Sequence, residues 1–108
     1  MNCNLNKASS RGARRVSHLN LIYFLDDDWK GGVGHVQDLS TTGCQMSSET
    51  PLRIGSELQL SLVAAPDEQD IKIEMAKVRW ANEEGYGLEF LGIDPLERER
   101  LRLFLKTR

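Results

Sequence analysis

Apolar and polar residues alternate along most of this chain with a period of two, and only its last dozen residues break that rhythm. Leu19, Leu21, Tyr23 and Leu25 alternate with His18, Asn20, Ile22 and Phe24, which predicts a strand with apolar residues on both faces. The stretch Asp26 to Gly32 is rich in Asp and Gly and reads as a turn. A second strand is expected from Val33 to Leu39, and a short third one over Cys44 to Ser47 after the polar stretch Ser40-Thr41-Thr42-Gly43. Thr50 to Ser56 forms a connection. Leu58, Leu60, Leu62 and Ala64 then mark a half-buried strand, with Gln59 and Ser61 facing out. After a turn at Pro66 to Asp70, Ile71, Ile73 and Met75 are expected to point inward, followed by a switch of phase to Ala76, Val78 and Trp80. Such a switch is what a β-bulge produces. Ala81 to Gly85 closes a hairpin into Tyr86, Leu88 and Phe90.

The end of the chain is helical. Asp94 is placed to cap the first turn, Pro95 fits the first helical position, and Glu97 sits where it would complete a capping box. Leu96, Leu101, Phe104 and Leu105 make an apolar stripe. Six short strands and one closing helix imply an all-β fold, a curled sheet or barrel capped by that helix. Residues 1–10 are polar and aperiodic and are expected to form a flexible N-terminal tail, with 11–108 as a single domain and no internal repeat.

Composition narrows the function more than the fold. The 108 residues are 40% hydrophobic and 28% charged, the profile of a soluble globular chain. No apolar run reaches the ~18–20 residues that a membrane span needs, and the first residues lack the apolar core of a signal peptide. A cytoplasmic protein without membrane insertion is expected. Cys3 and Cys44 have no metal spacing, and a reducing cytoplasm argues against pairing them. Cys3 reads as a free thiol and Cys44 as a small apolar strand residue. His18 and His35 stand apart from any acid or thiol pattern and read as ordinary strand or surface residues.

Net charge is −2, yet Met1 to Asn20 carries Lys7, Arg11, Arg14 and Arg15 and no acid. That arm is +4, which leaves −6 on the rest. A basic arm on an acidic body suits a localised anion site better than a nucleic-acid surface. No Ser/His/Asp or Cys/His set, phosphate-cradling loop or metal cluster points to catalysis, and no metal or cofactor is expected. The acidic run Asp26-Asp27-Asp28 reads as a solvated loop.

Two short clusters carry the remaining chemistry. Arg11-Gly12-Ala13-Arg14-Arg15 contains an RxxxR spacing, and Asp38-Leu39-Ser40-Thr41-Thr42-Gly43 is a DxSxxG at a strand end. Each alone would be a solvated face or a turn. Together and in this order they resemble the motif pair of the PilZ family. Val78-Arg79-Trp80 and Tyr86-Gly87-Leu88-Glu89-Phe90 are similar to that family's later valine-x-tryptophan strand and its glycine-containing final strand. The likeness covers roughly Arg11 to Leu105.

The resemblance implies a six-stranded antiparallel β-barrel capped by a C-terminal α-helix, and a bacterial receptor for the second messenger cyclic di-GMP. Arg11 and Arg15 match the two motif arginines, and Asp38, Ser40 and Gly43 match the second motif. A guanidinium fork can pair with guanine O6 and N7 or grip a phosphate. A carboxylate can accept from the guanine N1 and N2 donors. Ser40 can donate or accept nearby, and Gly43 can take φ > 0 or let backbone approach the ligand closely. Arg14, Trp80 and Ser10 are accessory positions. Arg14 either adds a phosphate contact or is solvated; Trp80 matches a family tryptophan near the pocket, although an aromatic so placed is more often core; and Ser10 stands where the family varies in gripping a second ligand molecule.

Two readings compete with this one. A PilZ-like module that docks a partner without nucleotide would be expected to lack the motif residues, and all five are present. A barrel for single-stranded nucleic acid needs exposed aromatics in a basic groove, whereas aromatics here are 6% and the body is acidic. Ligand sensing coupled to an unidentified effector protein is therefore expected. The basic arm should order over the barrel mouth when ligand binds.

Overall fold

The computed structural model describes residues 20–64 and 68–106. Its strands are β1 (Leu21–Asp26), β2 (Gly31–Leu39), β3 (Gly43–Ser48), β4 (Glu57–Leu62), β5 (Ile71–Asn82) and β6 (Gly85–Gly92), followed by helix α1 (Pro95–Lys106). All neighbouring strands are antiparallel, and the order β1-β2-β3-β6-β5-β4 closes into a barrel. Closure follows from β1 pairing on both sides, with β2 through Tyr23 opposite Val33 and with β4 through Tyr23 opposite Ser61.

Alternation decides what fills the interior. Ile22, Phe24, Val36, Met46, Leu58, Leu60, Leu62, Ile71, Ile73 and Val78 point inward and are buried. In β1 it is thus the set Ile22 and Phe24 that faces the core, while Tyr23 is 48% exposed. Asn20, just ahead of β1, is the buried polar exception. Its amide donates to the Val63 carbonyl at 2.9 Å, so burial leaves that group satisfied.

Four register shifts curve the barrel, and two lie in β5, the first of them at the change of phase where the sequence predicts a bulge. Shifts between Met75 and Ala76 and between Val78 and Trp80 interrupt its pairing with β6. The first turns Met75 outward, and the second turns Trp80 outward, so neither is core. Each extra residue re-aims the next side chain by half a period. The other shifts lie between Val36 and Asp38 and between Leu58 and Leu60.

The helix closes one end through Leu101 and Phe104, each of which is buried. Burying a leucine side chain contributes roughly 1.5–3 kcal/mol. Asp94 caps as expected, its carboxylate accepting from Leu96 N at 2.9 Å. Glu97 does not complete a capping box. Its carboxylate accepts from Lys72 N at 2.9 Å and from Arg100, and so ties the helix to the start of β5. Leu96 also departs from the predicted stripe, being 75% exposed on the first turn.

The β1–β2 turn is shorter than its sequence suggests, since β2 already begins at Gly31. Asp26 holds it, accepting from Asp28 N and Lys30 N at 2.9 Å each. Trp29 adopts φ 63°, a left-handed conformation unusual for a bulky residue.

Candidate functional site

The DxSxxG segment folds as the tight connection between β2 and β3. Ser40 N donates to Gly43 O at 2.9 Å, and the Ser40 hydroxyl accepts from Thr42 N at 3.2 Å. The outer carbonyls of this turn are used by other elements. Thr42 O accepts from Phe90 N at 2.8 Å, and Thr41 O accepts from Arg98 on the helix at 3.3 Å. Serine, threonine and glycine are the residue types that make such a turn, and here β6 and α1 brace it from outside.

Gly43 lacks a side chain where the sheet itself leaves no room for one. Its φ is not positive; among the described glycines only Gly55 and Gly85 are. A Cβ on Gly43 would stand 2.3 Å from the Leu88 carbonyl oxygen of β6. The close approach it permits is between strands.

Beside the turn lies an open cleft of about 390 Å³ on the outer face of the barrel. Strand register explains its floor. Asp38 stands opposite Gln45, Gln45 opposite Gly87, and Gly87 opposite Trp80. These four residues form one row across β2, β3, β6 and β5, which spans roughly 14 Å at ~4.8 Å per strand. The row carries an exposed carboxylate at one end and an indole at the other. Trp80 leans inward along it, because a Cβ on Gly87 would meet the indole Nε1 at 2.1 Å. Glycine at position 87 lets that ring lie on the sheet.

Charge in the cleft is one-sided. Asp38 is free of ion pairs among the described residues, and Arg79 is paired with Glu89. Arg79 is the single cation among the described lining residues. Beneath the row Cys44 is buried, and its thiol is pushed up to about 12, first by burial and then by the charge of Asp38. It is a neutral core residue, as its sequence context predicts, and a poor nucleophile.

Three of the five expected ligand residues are therefore close together: Asp38, Ser40 and Gly43 line one cleft. Arg11 and Arg15, with the accessory Ser10 and Arg14, lie outside the described residues. Trp80, read as core, is 40% exposed and lines the cleft. Gln45, Arg79 and Glu89 were not singled out as site residues. Their polar positions in otherwise alternating strands were the available signal.

A family model, PilZ domain, matches residues 9–107. The chain belongs to the PilZ domain family. That family comprises cyclic di-GMP-binding effector modules, and its role is binding and adaptation rather than catalysis. A similar fold occurs in the crystal structure of the PilZ domain of CeSA from a cellulose-synthesizing bacterium, with a TM-score of 0.62 and 19% identity. The alignment covers 88% of this chain and 98% of that one. No curated protein matches the chain. Among the described residues no helix is long and apolar enough to cross a membrane.

Proposed function

We propose that this PilZ domain is a receptor for cyclic di-GMP that passes the signal to a partner protein. The row from Asp38 to Trp80 carries this reading. It offers a carboxylate outside every ion pair of the described residues for the guanine N1 and N2 donors, and an aromatic face on which a base can stack. The ligand's two phosphodiesters need cations, and the cleft's one described cation is already paired. Arg11 and Arg15 are the motif residues suited to that task. In this scheme the arm closes over Asp38, Ser40 and Gly43, so ligand and arm together create the surface that the partner reads.

Calorimetric titration with cyclic di-GMP, cyclic di-AMP and GTP tests the assignment. Cyclic di-GMP alone is expected to bind tightly. Asp38→Ala should weaken it by roughly 10- to 150-fold, the ~1.5–3 kcal/mol of hydrogen bonds to a charged group. Cyclic di-AMP should be affected much less. Equal losses for both would reduce Asp38 to a shaper of the turn, and no heat at millimolar cyclic di-GMP would leave partner docking without nucleotide.

Closure of the arm has its own readout. Fixing a backbone costs roughly 1–2 kcal/mol per residue, so ordering 10–15 requires several charged contacts at once. Trypsin cleaves after Arg11, Arg14 and Arg15, and saturating cyclic di-GMP is expected to slow cutting there strongly. Unchanged cleavage at saturation would exclude closure while leaving binding intact.

A further inference from the structure

We infer that the outer face of the β1–β2 hairpin is a docking surface for a short basic and apolar segment of a partner protein. This rests on the adaptor half of the proposed function and gives it a place. Apolar groups line up along the hairpin. Tyr23 and Val33 are opposed across the two strands and are 48% and 43% exposed. One outward pair nearer the tip, the Leu25 side chain lies over Gly31, where a Cβ would be 3.7 Å from its Cδ1. At the tip Trp29 is 77% exposed.

The turn spends conformational strain to keep that indole outside. Trp29 holds φ 63° where a glycine or asparagine would sit easily, and the Asp26 carboxylate pins the turn around it. A strained aromatic with no role in the core points to recognition. Tryptophan and tyrosine are also the residue types that most often anchor protein interfaces.

The surroundings define the occupant. On the β4 side the strip is bordered by Gln59 and Ser61, which stand opposite Leu25 and Tyr23. It is thus two strands wide, room for one extended or helical segment. A stable dimer needs about 20–30 residues a side, so a second copy does not fit these few side chains. The tip carries Asp27 and Asp28, both exposed, outside every ion pair of the described residues, and outweighing the one exposed lysine of the turn, Lys30. Lysine or arginine flanking apolar anchors complements them, and the same acids disfavour an anionic membrane. Asp38 lies seven residues along β2 from Gly31, roughly 23 Å at ~3.3 Å per residue. Ligand and partner can therefore be held at once.

The test uses the indole signals of Trp29 and Trp80, the two tryptophans of the full chain, in ¹⁵N-correlated NMR spectra. The probes are synthetic twelve-residue peptides built from lysine and leucine, glutamate and leucine, or lysine and serine. The lysine–leucine peptide is expected to shift the Trp29 signal saturably and leave Trp80 in place. Trp29→Gly relieves the strained φ, so the protein stays folded, and the backbone amide shifts of Tyr23, Leu25 and Val33, which report binding where the indole is absent, should show affinity at least tenfold weaker. Trp29→Phe should retain most of it. Equal binding of the glutamate–leucine or lysine–serine peptide would overturn the proposal. So would unchanged affinity in Trp29→Gly, or a larger Trp29 shift with phosphatidylglycerol vesicles than with any peptide. Trp29→Gly should bind cyclic di-GMP like the wild type. Failure of the wild type to bind cyclic di-GMP would remove the receptor reading and leave the peptide result standing.

Discussion

Arg15→Ala is expected to abolish cyclic di-GMP binding at ordinary ligand concentrations while the barrel stays folded. Truncating one partner of a desolvated charge pair costs about 2–5 kcal/mol, or roughly 30-fold to several thousand-fold in affinity. The described cleft has no spare cation to compensate, because Glu89 occupies Arg79. Arg11→Lys probes the same contact more finely. It keeps the charge but loses the planar fork, and should also weaken binding markedly. Titration calorimetry gives the affinities, and circular dichroism gives the fold. Wild-type affinity in Arg15→Ala would show that the phosphates are held elsewhere.

The other large effect concerns Gly43, and it falls on stability. A Cβ at that position would overlap the Leu88 carbonyl oxygen at 2.3 Å, and this obstacle is backbone that cannot rotate away. Overpacking of this kind costs about 1–3 kcal/mol and sometimes more. For a domain of this size Gly43→Ala should lower Tm by roughly 10–20 °C at the upper end of that range. Gly43→Val should fare worse. Thermal denaturation followed by far-UV circular dichroism measures it. An unchanged Tm would mean that β3 and β6 can separate freely. Lost ligand binding in a Gly43 variant is therefore no proof of a ligand contact, whereas lost binding in Asp38→Ala, on an exposed side chain, is informative.

The same contrast shows what local sequence can convey. Period-two alternation in β4 and the first half of β5 depends on each strand's own residues, and Leu58, Leu60, Ile71 and Ile73 lie inside as the pattern indicates. Asp94 and Pro95 likewise announce a helix start through chemistry confined to one turn. Met75, Trp80 and Gly43 answer to other strands. The number of residues that β5 inserts opposite β6 decides whether Trp80 faces in or out, and no property of Val78-Arg79-Trp80 fixes that number. Gly43 depends on how closely β6 approaches. Glu97 found a better donor in Lys72 N, distant in sequence, than in its own helix end. The cleft was legible as a list of motif residues. Its floor, in which Gln45 and Gly87 bridge Asp38 to Trp80, exists only in the register.

Because the sheet closes on itself through β1 and β4, the barrel offers no open strand edge among the described residues. A partner therefore cannot extend it by adding a strand, and chains at high concentration lack the simplest template for stacking into fibrils. Recognition is left to the side chains and turns displayed on the outside of that closed cylinder.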